Sequence, residues 1–230
     1  YVTPISSEYR GYTMLQIPPN GQGITALMML NILEDYDLAS LDPNSVARLH
    51  LETEASRMAY AARDRYVADQ RQEDVPVDHM LSAEFAAELR AQISPDRAVE
   101  APEATGPAYR DTIYLSVVDK DRNACSFINS LYMPFGTGLT APRSGVVLQN
   151  RAAGFRVEPG HPNNVAPRKR PLHTIIPGMC MKDGKVAYSY GVMGGGYQPV
   201  GHTHVLTNMI DYGMDPQEAL DSPRVFHITG

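Results

Sequence analysis

The chain of 230 residues holds only two cysteines, Cys125 and Cys180. Two thiols cannot build a disulfide framework or a structural zinc site, and each sits in an apolar, strand-like segment that reads as a place for a small buried side chain. Basic charge is also scarce: 20 Lys and Arg stand against 26 Asp and Glu, for a net charge of −6. No basic cluster exceeds Arg168-Lys169-Arg170, which reads as a solvated turn, and this argues against a nucleic-acid partner. Long apolar runs are missing too. The most apolar stretch, Ile24 to Leu33, is far short of a membrane span. No charged-then-apolar signal segment opens the chain, which begins at Tyr1 rather than Met, as a processed product or a fragment does. The histidines are scattered, and His202 and His204 are two apart, so they do not share one helix face; no metal site is expected. There is no internal repeat. What remains is an ordinary apolar content, 43%, in a chain long enough for one large domain or two small ones around a sizeable core.

Two textures follow each other along the chain. Residues 20–100 read as helical. Asn20-Gly21-Gln22-Gly23 leads into Ile24, Leu27, Met28, Leu30 and Leu33, too apolar all round for a surface helix. Ser45 offers a cap for a long helix carrying Val46, Leu49, Thr53, Met58, Tyr60 and Ala61. A third helix follows Ser82, with Phe85, Leu89 and Ile93 on one face, and Ser94-Pro95 ends it. Residues 94–110 form a loop without periodicity. From Thr112 the pattern changes to strands: 112–119 and 123–130 flank Lys120-Asp121-Arg122 as a hairpin, and 146–149, 174–181 and 186–192 are further strand candidates, the last two joined at Asp183-Gly184. Residues 199–212 read as a helix, and Asp215-Pro216-Gln217-Glu218 is a helix start with cap, N1 proline and N3 glutamate in place. Antiparallel strands packed against helices make an α+β layered fold the expected class.

Three segments carry chemistry in combination. Thr112 begins the first strand of the second half. Taken alone it is a good β residue at a strand start. As the first residue of a chain it would be a nucleophile, because its own α-amino group, with a pKa of roughly 7.7–8.0, can take the hydroxyl proton. That chemistry requires scission of the Asp111–Thr112 bond, by attack of the same hydroxyl on the preceding carbonyl and hydrolysis of the ester formed. Gly194-Gly195-Gly196 follows a strand and precedes a helix, so its N–H groups can face a tetrahedral oxyanion. A tight strand-to-helix turn would use the same glycines. A phosphate cradle fits less well, since neither a Lys-Ser/Thr pair nor GxGxxG is present, and no cofactor is expected.

The order of segments resembles the γ-glutamyltransferase family of N-terminal-nucleophile hydrolases. The residues that carry it are Thr112 with Leu115-Ser116-Val117-Val118-Asp119-Lys120-Asp121, then Phe135-Gly136-Thr137-Gly138. Next come Pro162-Asn163-Asn164-Val165-Ala166-Pro167-Arg168-Lys169-Arg170-Pro171-Leu172, Gly194-Gly195, Asn208-Met209-Ile210-Asp211-Tyr212-Gly213, and Glu218-Ala219 to Ser222-Pro223-Arg224. The resemblance runs from about Gln22 to the C-terminus. It implies a four-layer αββα fold, made as one precursor that cleaves itself before Thr112. Residues 1–111 would then be the C-terminal part of a large, mostly helical subunit ending in a processing loop. Residues 112–230 would form a strand-rich small subunit, and the two could assemble as a dimer of heterodimers. Thr112 matches the nucleophile, Gly194 and Gly195 match the oxyanion pair, and Ser130 falls where the family has a threonine that hydrogen-bonds the nucleophile. Part of the family's length is absent at both ends, and a bacterial cytoplasm and a periplasm are equally compatible.

The departures concern the substrate pocket. Gly154 stands where γ-glutamyl enzymes place the Asp that holds an α-amino group. Tyr132 replaces the Asn expected at the α-carboxylate, and His173 and Thr174 replace paired serines. Losing the acid while placing Arg151 nearby removes the partner of an ammonium and leaves one for a carboxylate, although Arg151 in isolation also reads as a surface ion-pair residue. The set resembles the oxamate amidohydrolase branch and implies an amide of a small, carboxylate-bearing substrate, with Arg151, Tyr132, His173 and Thr174 around it. True γ-glutamyl transfer or hydrolysis of glutathione-like donors is the alternative, and a non-catalytic homologue used for assembly is a third reading.

Overall fold

The computed structural model describes residues 1–99 and 112–226. Its centre is helix α1 (Gly23–Leu33), in which every residue except Asn31 is buried. A helix apolar on all sides must be enclosed on all sides. Strands β1 (Ile5–Tyr9) and β2 (Tyr12–Gln16) lie against one flank of α1, and α2 (Val46–Tyr66), α4 (Ala83–Arg90) and α5 (Gln198–Ile210) against the others, with the single turn α3 (Val77–Met80) leading into α4. The expected helix starts are present. The Ser45 hydroxyl accepts from Arg48 N at 3.3 Å and the Ser82 hydroxyl from Phe85 N at 3.1 Å. At α6 (Pro216–Asp221), Asp215 accepts from Glu218 N at 2.9 Å while the Glu218 carboxylate accepts from Asp215 N at 2.9 Å, a reciprocal capping box.

A four-stranded antiparallel sheet runs in the order β1-β2-β5-β6, where β5 is Gly178–Lys182 and β6 is Lys185–Tyr190. Met14, Gln16, Cys180 and Tyr190 are buried on its helix-facing side. A separate hairpin, β3 (Thr112–Val118) with β4 (Ala124–Ser130), pairs Thr112 with Ser130, Tyr114 with Ile128 and Ser116 with Ser126. These side chains share one face, and that face meets β6 and the residue after it. Ser116 Oγ lies 2.7 Å from Ser189 Oγ, Ser126 Oγ donates to Tyr190 O at 3.3 Å, and a Cβ at Gly191 would sit 2.4 Å from the Tyr114 ring. Only glycine lets the hairpin approach that closely. The described residues thus form a helix layer, a sheet and a hairpin in sequence, with the outer face of the hairpin exposed at Ile113, Leu115, Val117 and Phe127.

The structure departs from the sequence expectations in several places. Strands β1 and β2 were not anticipated; they turn at Arg10 and Gly11, both at positive φ (49° and 76°), the backbone of a two-residue hairpin. Residues 146–149 are not a strand. They fold back on residues 137–141 through a few backbone bonds, such as Ala141 N to Val146 O at 2.8 Å, and only the bridge between Thr140 and Val147 is sheet-like. Of the span 174–181, only the part from Gly178 is β5. Pro177 has no N–H, and the preceding backbone is taken by side chains: Gln22 donates to Thr174 O and Ile176 N donates to Gln198 Oε1. Cys125 is exposed rather than buried, since it lies on the outer face of the hairpin. Cys180 is buried, and burial pushes its thiol up to about 12, so it is inert. The basic triplet is not a free turn either. Lys169, with its side chain almost wholly buried, pairs with Glu73, and Arg170 Nη2 meets Asp69 at 2.6 Å, which fastens this strap to the loop after α2.

Candidate active site

Thr112 lies on the hairpin face that turns toward β6. Its hydroxyl donates to Ser130 Oγ across the strand pair at 3.2 Å, and Tyr132 N donates to the same oxygen at 3.0 Å. Asp111 falls outside the described residues. Tyr132, two residues past the end of β4, is held at a positive φ of 79°, and its ring carries the guanidinium of Arg151 at 4.6 Å from the centroid. Arg151, on a single 3-10 turn (Arg151–Gly154), is only 3% exposed. Its Nη1 donates to Thr174 Oγ1 at 2.6 Å, while its Nη2 has no hydrogen-bond partner among the described residues. Burial lowers the guanidinium to about 10, which leaves it charged at neutral pH. No carboxylate lies within ion-pair distance of it among the described residues. Arg151 is therefore not the surface ion-pair residue that its type alone suggests, but a buried cation with a free donor edge.

Gly154 closes the same turn. A Cβ there would come within 3.8 Å of the Tyr132 hydroxyl and 3.4 Å of Leu172 O, so the missing side chain opens space beside Tyr132. Asn163 holds this wall: its amide donates to Gly154 O at 2.8 Å and accepts from Leu172 N at 2.9 Å. His173 follows, bridged to Gly21. Burial, reinforced by the positive charges of Arg151 and Arg170, lowers its imidazole to about 4, so it is neutral at physiological pH. Ile175 N donates to His173 Nδ1 at 3.3 Å, which leaves the ring proton on Nε2.

The glycine loop is tied to these residues through Gln22. Gly194 and Gly195 adopt φ of 136° and 56°, accessible only to glycine at little cost, and a short 3-10 turn (Gly195–Tyr197) leads into α5. Neither N–H has an acceptor among the described residues. The loop is anchored through its carbonyls instead: Gln22 Nε2 donates to Gly195 O at 2.9 Å and the Tyr60 hydroxyl donates to Gly196 O. Gln22 Nε2 also donates to Thr174 O at 2.8 Å. A continuous line of contacts thus runs from Thr112 through Ser130, Tyr132, Arg151, Thr174 and Gln22 to Gly195.

The expected site residues from Thr112 to Gly195 are brought into one connected wall, apart from Asp111. Gln22, Tyr60, Arg63 and Asn163 were not singled out from the sequence. Gln22 lies between two glycines before a helix and nothing local says that it points inward. Asn163 lies in the Pro162-Asn163 segment already noted, without a role. His202 and His204 are both buried in α5. His202 meets Gln16 Nε2 through Nδ1 at 3.1 Å, and burial lowers it to about 3. His204 Nδ1 meets the Glu52 carboxylate at 2.8 Å. Among the described residues no group of three His, Cys, Asp or Glu side chains is placed to hold a metal ion.

The sequence profile of the gamma-glutamyltranspeptidase family matches residues 1–229. The chain belongs to this family. Among curated relatives, this family member is 41% identical over 224 residues to the glutathione hydrolase-like YwrD proenzyme of Bacillus subtilis (strain 168), covering 97% of the chain and 42% of that protein. It is 35% identical over 222 residues to the oxamate amidohydrolase proenzyme of Klebsiella pneumoniae, covering 96% and 41%. Among solved structures it superposes on the cephalosporin acylase of Bacillus halodurans with a TM-score of 0.88 and 42% identity, over 97% of the chain and 40% of the other. The fold is accordingly the α+β N-terminal-nucleophile hydrolase fold, and the chain spans about two fifths of the length of these relatives.

Proposed function

We propose that this gamma-glutamyltranspeptidase family member is part of a self-processing amide hydrolase whose nucleophile is Thr112 and whose substrate carries a carboxylate. Cleavage between Asp111 and Thr112 frees the threonine amine. That amine takes the hydroxyl proton, Oγ1 bonds to the amide carbonyl carbon, and the Gly194 and Gly195 N–H groups stabilise the oxyanion. The C–N bond then breaks with the proton passing to the leaving amine, and water hydrolyses the threonyl ester. Ser130, 3.2 Å from Thr112 Oγ1, orients the nucleophile. Arg151, Tyr132, His173 and Thr174 receive the substrate carboxylate, Arg151 as the charge and neutral His173 as a hydrogen-bond donor through Nε2.

The observation that carries this reading is the buried, charged Arg151 with a free Nη2, joined to the Thr112 hydroxyl through Tyr132 and Ser130. A buried cation without a counter-ion is costly unless it is paired during function. The names of the relatives, which include an oxamate amidohydrolase and a cephalosporin acylase, are in keeping with it. A member with an ammonium-binding acid would favour γ-glutamyl donors; here Gly154 occupies that wall.

Intact-mass analysis of the full polypeptide and of Thr112→Ala, with turnover of oxamate, glutaryl 4-nitroanilide and γ-glutamyl 4-nitroanilide, tests the proposal. Wild-type protein is expected as two pieces, the second beginning at Thr112, and it should favour the first two substrates. Two pieces from Thr112→Ala would sink the self-processing mechanism. Preference for the γ-glutamyl anilide would replace the substrate assignment with glutathione-like donors, and an intact, inactive wild-type chain would point to an assembly role.

A further inference from the structure

Gln22 is wholly buried, and one nitrogen of its side chain spans two walls of the site, donating to Thr174 O at 2.8 Å and to Gly195 O at 2.9 Å. Thr174 holds Arg151, and Gly195 carries one of the free N–H groups. The other end of the same amide is fixed: Arg63 Nη1 donates to Gln22 Oε1 at 2.9 Å, and the Arg63 guanidinium lies over the Tyr60 ring at 4.4 Å. Tyr60 in turn holds Gly196 O. The backbone of Gln22 is pinned as well, since its N–H donates to His173 O at 2.9 Å. A planar amide with both ends fixed allows little change in the separation of the carbonyls it joins.

We infer that Gln22, oriented by Arg63 and Tyr60, is a positioning residue that sets the distance between the carboxylate pocket at Arg151–Thr174 and the oxyanion loop at Gly194–Gly195. The inference rests on the site reading given above. A substrate anchored at its carboxylate reaches the oxyanion donors only if the two walls keep their separation, so the chemistry step depends on Gln22 although Gln22 does not touch substrate. Small displacements of a bound reactant cost up to about a hundredfold in rate. The same ruler selects the length of the acyl chain between carboxylate and amide carbonyl.

The test uses the full polypeptide, with glutaryl 4-nitroanilide as substrate and 3-carboxypropylboronic acid as a trap that forms a tetrahedral adduct with a hydroxyl nucleophile. For Gln22→Met, kcat per boronate-titrated site should fall by about tenfold to a hundredfold, boronate affinity should fall in parallel, and KM should stay within a few-fold. Arg63→Met should reproduce this more weakly, Arg63→Lys should restore most of it, and Tyr60→Phe, which only removes a hydroxyl, guards against a failure of the larger changes to fold. In the background of Arg151→Gln the Gln22→Met effect should shrink, because the anchor it spaces is gone. Wild-type kcat per titrated site and wild-type boronate affinity in these variants would overturn the inference, as would a loss confined to the number of sites, which a merely structural role produces. Failure of the wild-type protein to bind the boronate at Thr112 would instead overturn the site reading itself.

Discussion

The helix-bearing half of the molecule and the β3–β4 hairpin solve different problems. In the first, polar groups are buried and paired with one another. Arg48, 1% exposed, meets Glu52 at 3.0 Å, Thr207 Oγ1 at 3.0 Å and Asn208 Oδ1 at 2.6 Å, and stacks over Tyr212 at 4.4 Å. Burial alone would raise the Glu52 carboxyl, but His204, Arg48 and Thr207 outweigh it and hold it below the ordinary range. This network fixes α2 to α5, and α5 begins where the glycine loop ends. The hairpin, by contrast, is covered on one side only by the described residues and buries little of its own. It carries Thr112 but draws its position from Ser189 and Tyr190 of the neighbouring sheet and from Gly191 just after it. Under the proposed mechanism, the buried polar network thus backs the loop that would supply the oxyanion donors, and the lightly buried hairpin would supply the hydroxyl.

Substitutions on the two sides should separate these roles. Arg48→Met leaves Glu52 and His204 buried without their cation and should cost about 3–5 kcal/mol of stability, read by denaturant unfolding. If activity fell and stability did not, the division drawn above would be wrong. Arg151→Gln should act on binding, raising KM for a carboxylate-bearing amide by about thirtyfold to a hundredfold, as loss of roughly 2–3 kcal/mol requires, with little change for a neutral amide. Ser130→Ala removes one hydrogen bond to Thr112, the proposed nucleophile, and should lower kcat by about tenfold, with the melting temperature nearly unchanged.

The smallest effect is expected from His173. Its folded pKa is lowered to about 4 from the usual 6.5, so between these values the unfolded chain binds a proton that the folded chain does not. Stability from this source is complete above about pH 6.5 and is lost as pH falls toward 4. His173→Gln should flatten that decline, by about 1 kcal/mol at pH 5.5. An unchanged slope would mean that the imidazole is better solvated than the buried wall at Arg151 suggests.

Local signals survived the passage from sequence to structure better than facial ones. Ser45, Ser82 and Asp215 cap helices as their neighbours dictate, because a cap is decided within four residues. The Arg10-Gly11 turn was equally local, yet the weak alternation of Ile5–Tyr9 hid it. The hairpin strands were legible, but alternation with a period of two does not say which face is inward. Ile113, Leu115, Val117 and Phe127 look like a core face and are exposed, while Tyr114, Ser116 and Ser126 turn toward β6. Cys125 went astray for the same reason. Lys169 and Arg170 read as solvated because their partners, Glu73 and Asp69, are about a hundred positions away. The candidate site residues came from the family resemblance, and the structure connects Thr112, Ser130, Tyr132, Arg151 and Thr174, whereas the contacts of Gln22 and Arg63 are ones that no local pattern announces.

The order of the four-stranded sheet has one more consequence. Strands β1 and β2 precede the segment 100–111, β5 and β6 follow it, and β2 pairs directly with β5. Severing the backbone between Asp111 and Thr112 would break one covalent link and none of these ladder bonds. The two fragments would sediment as one particle, and only a denaturant would part them.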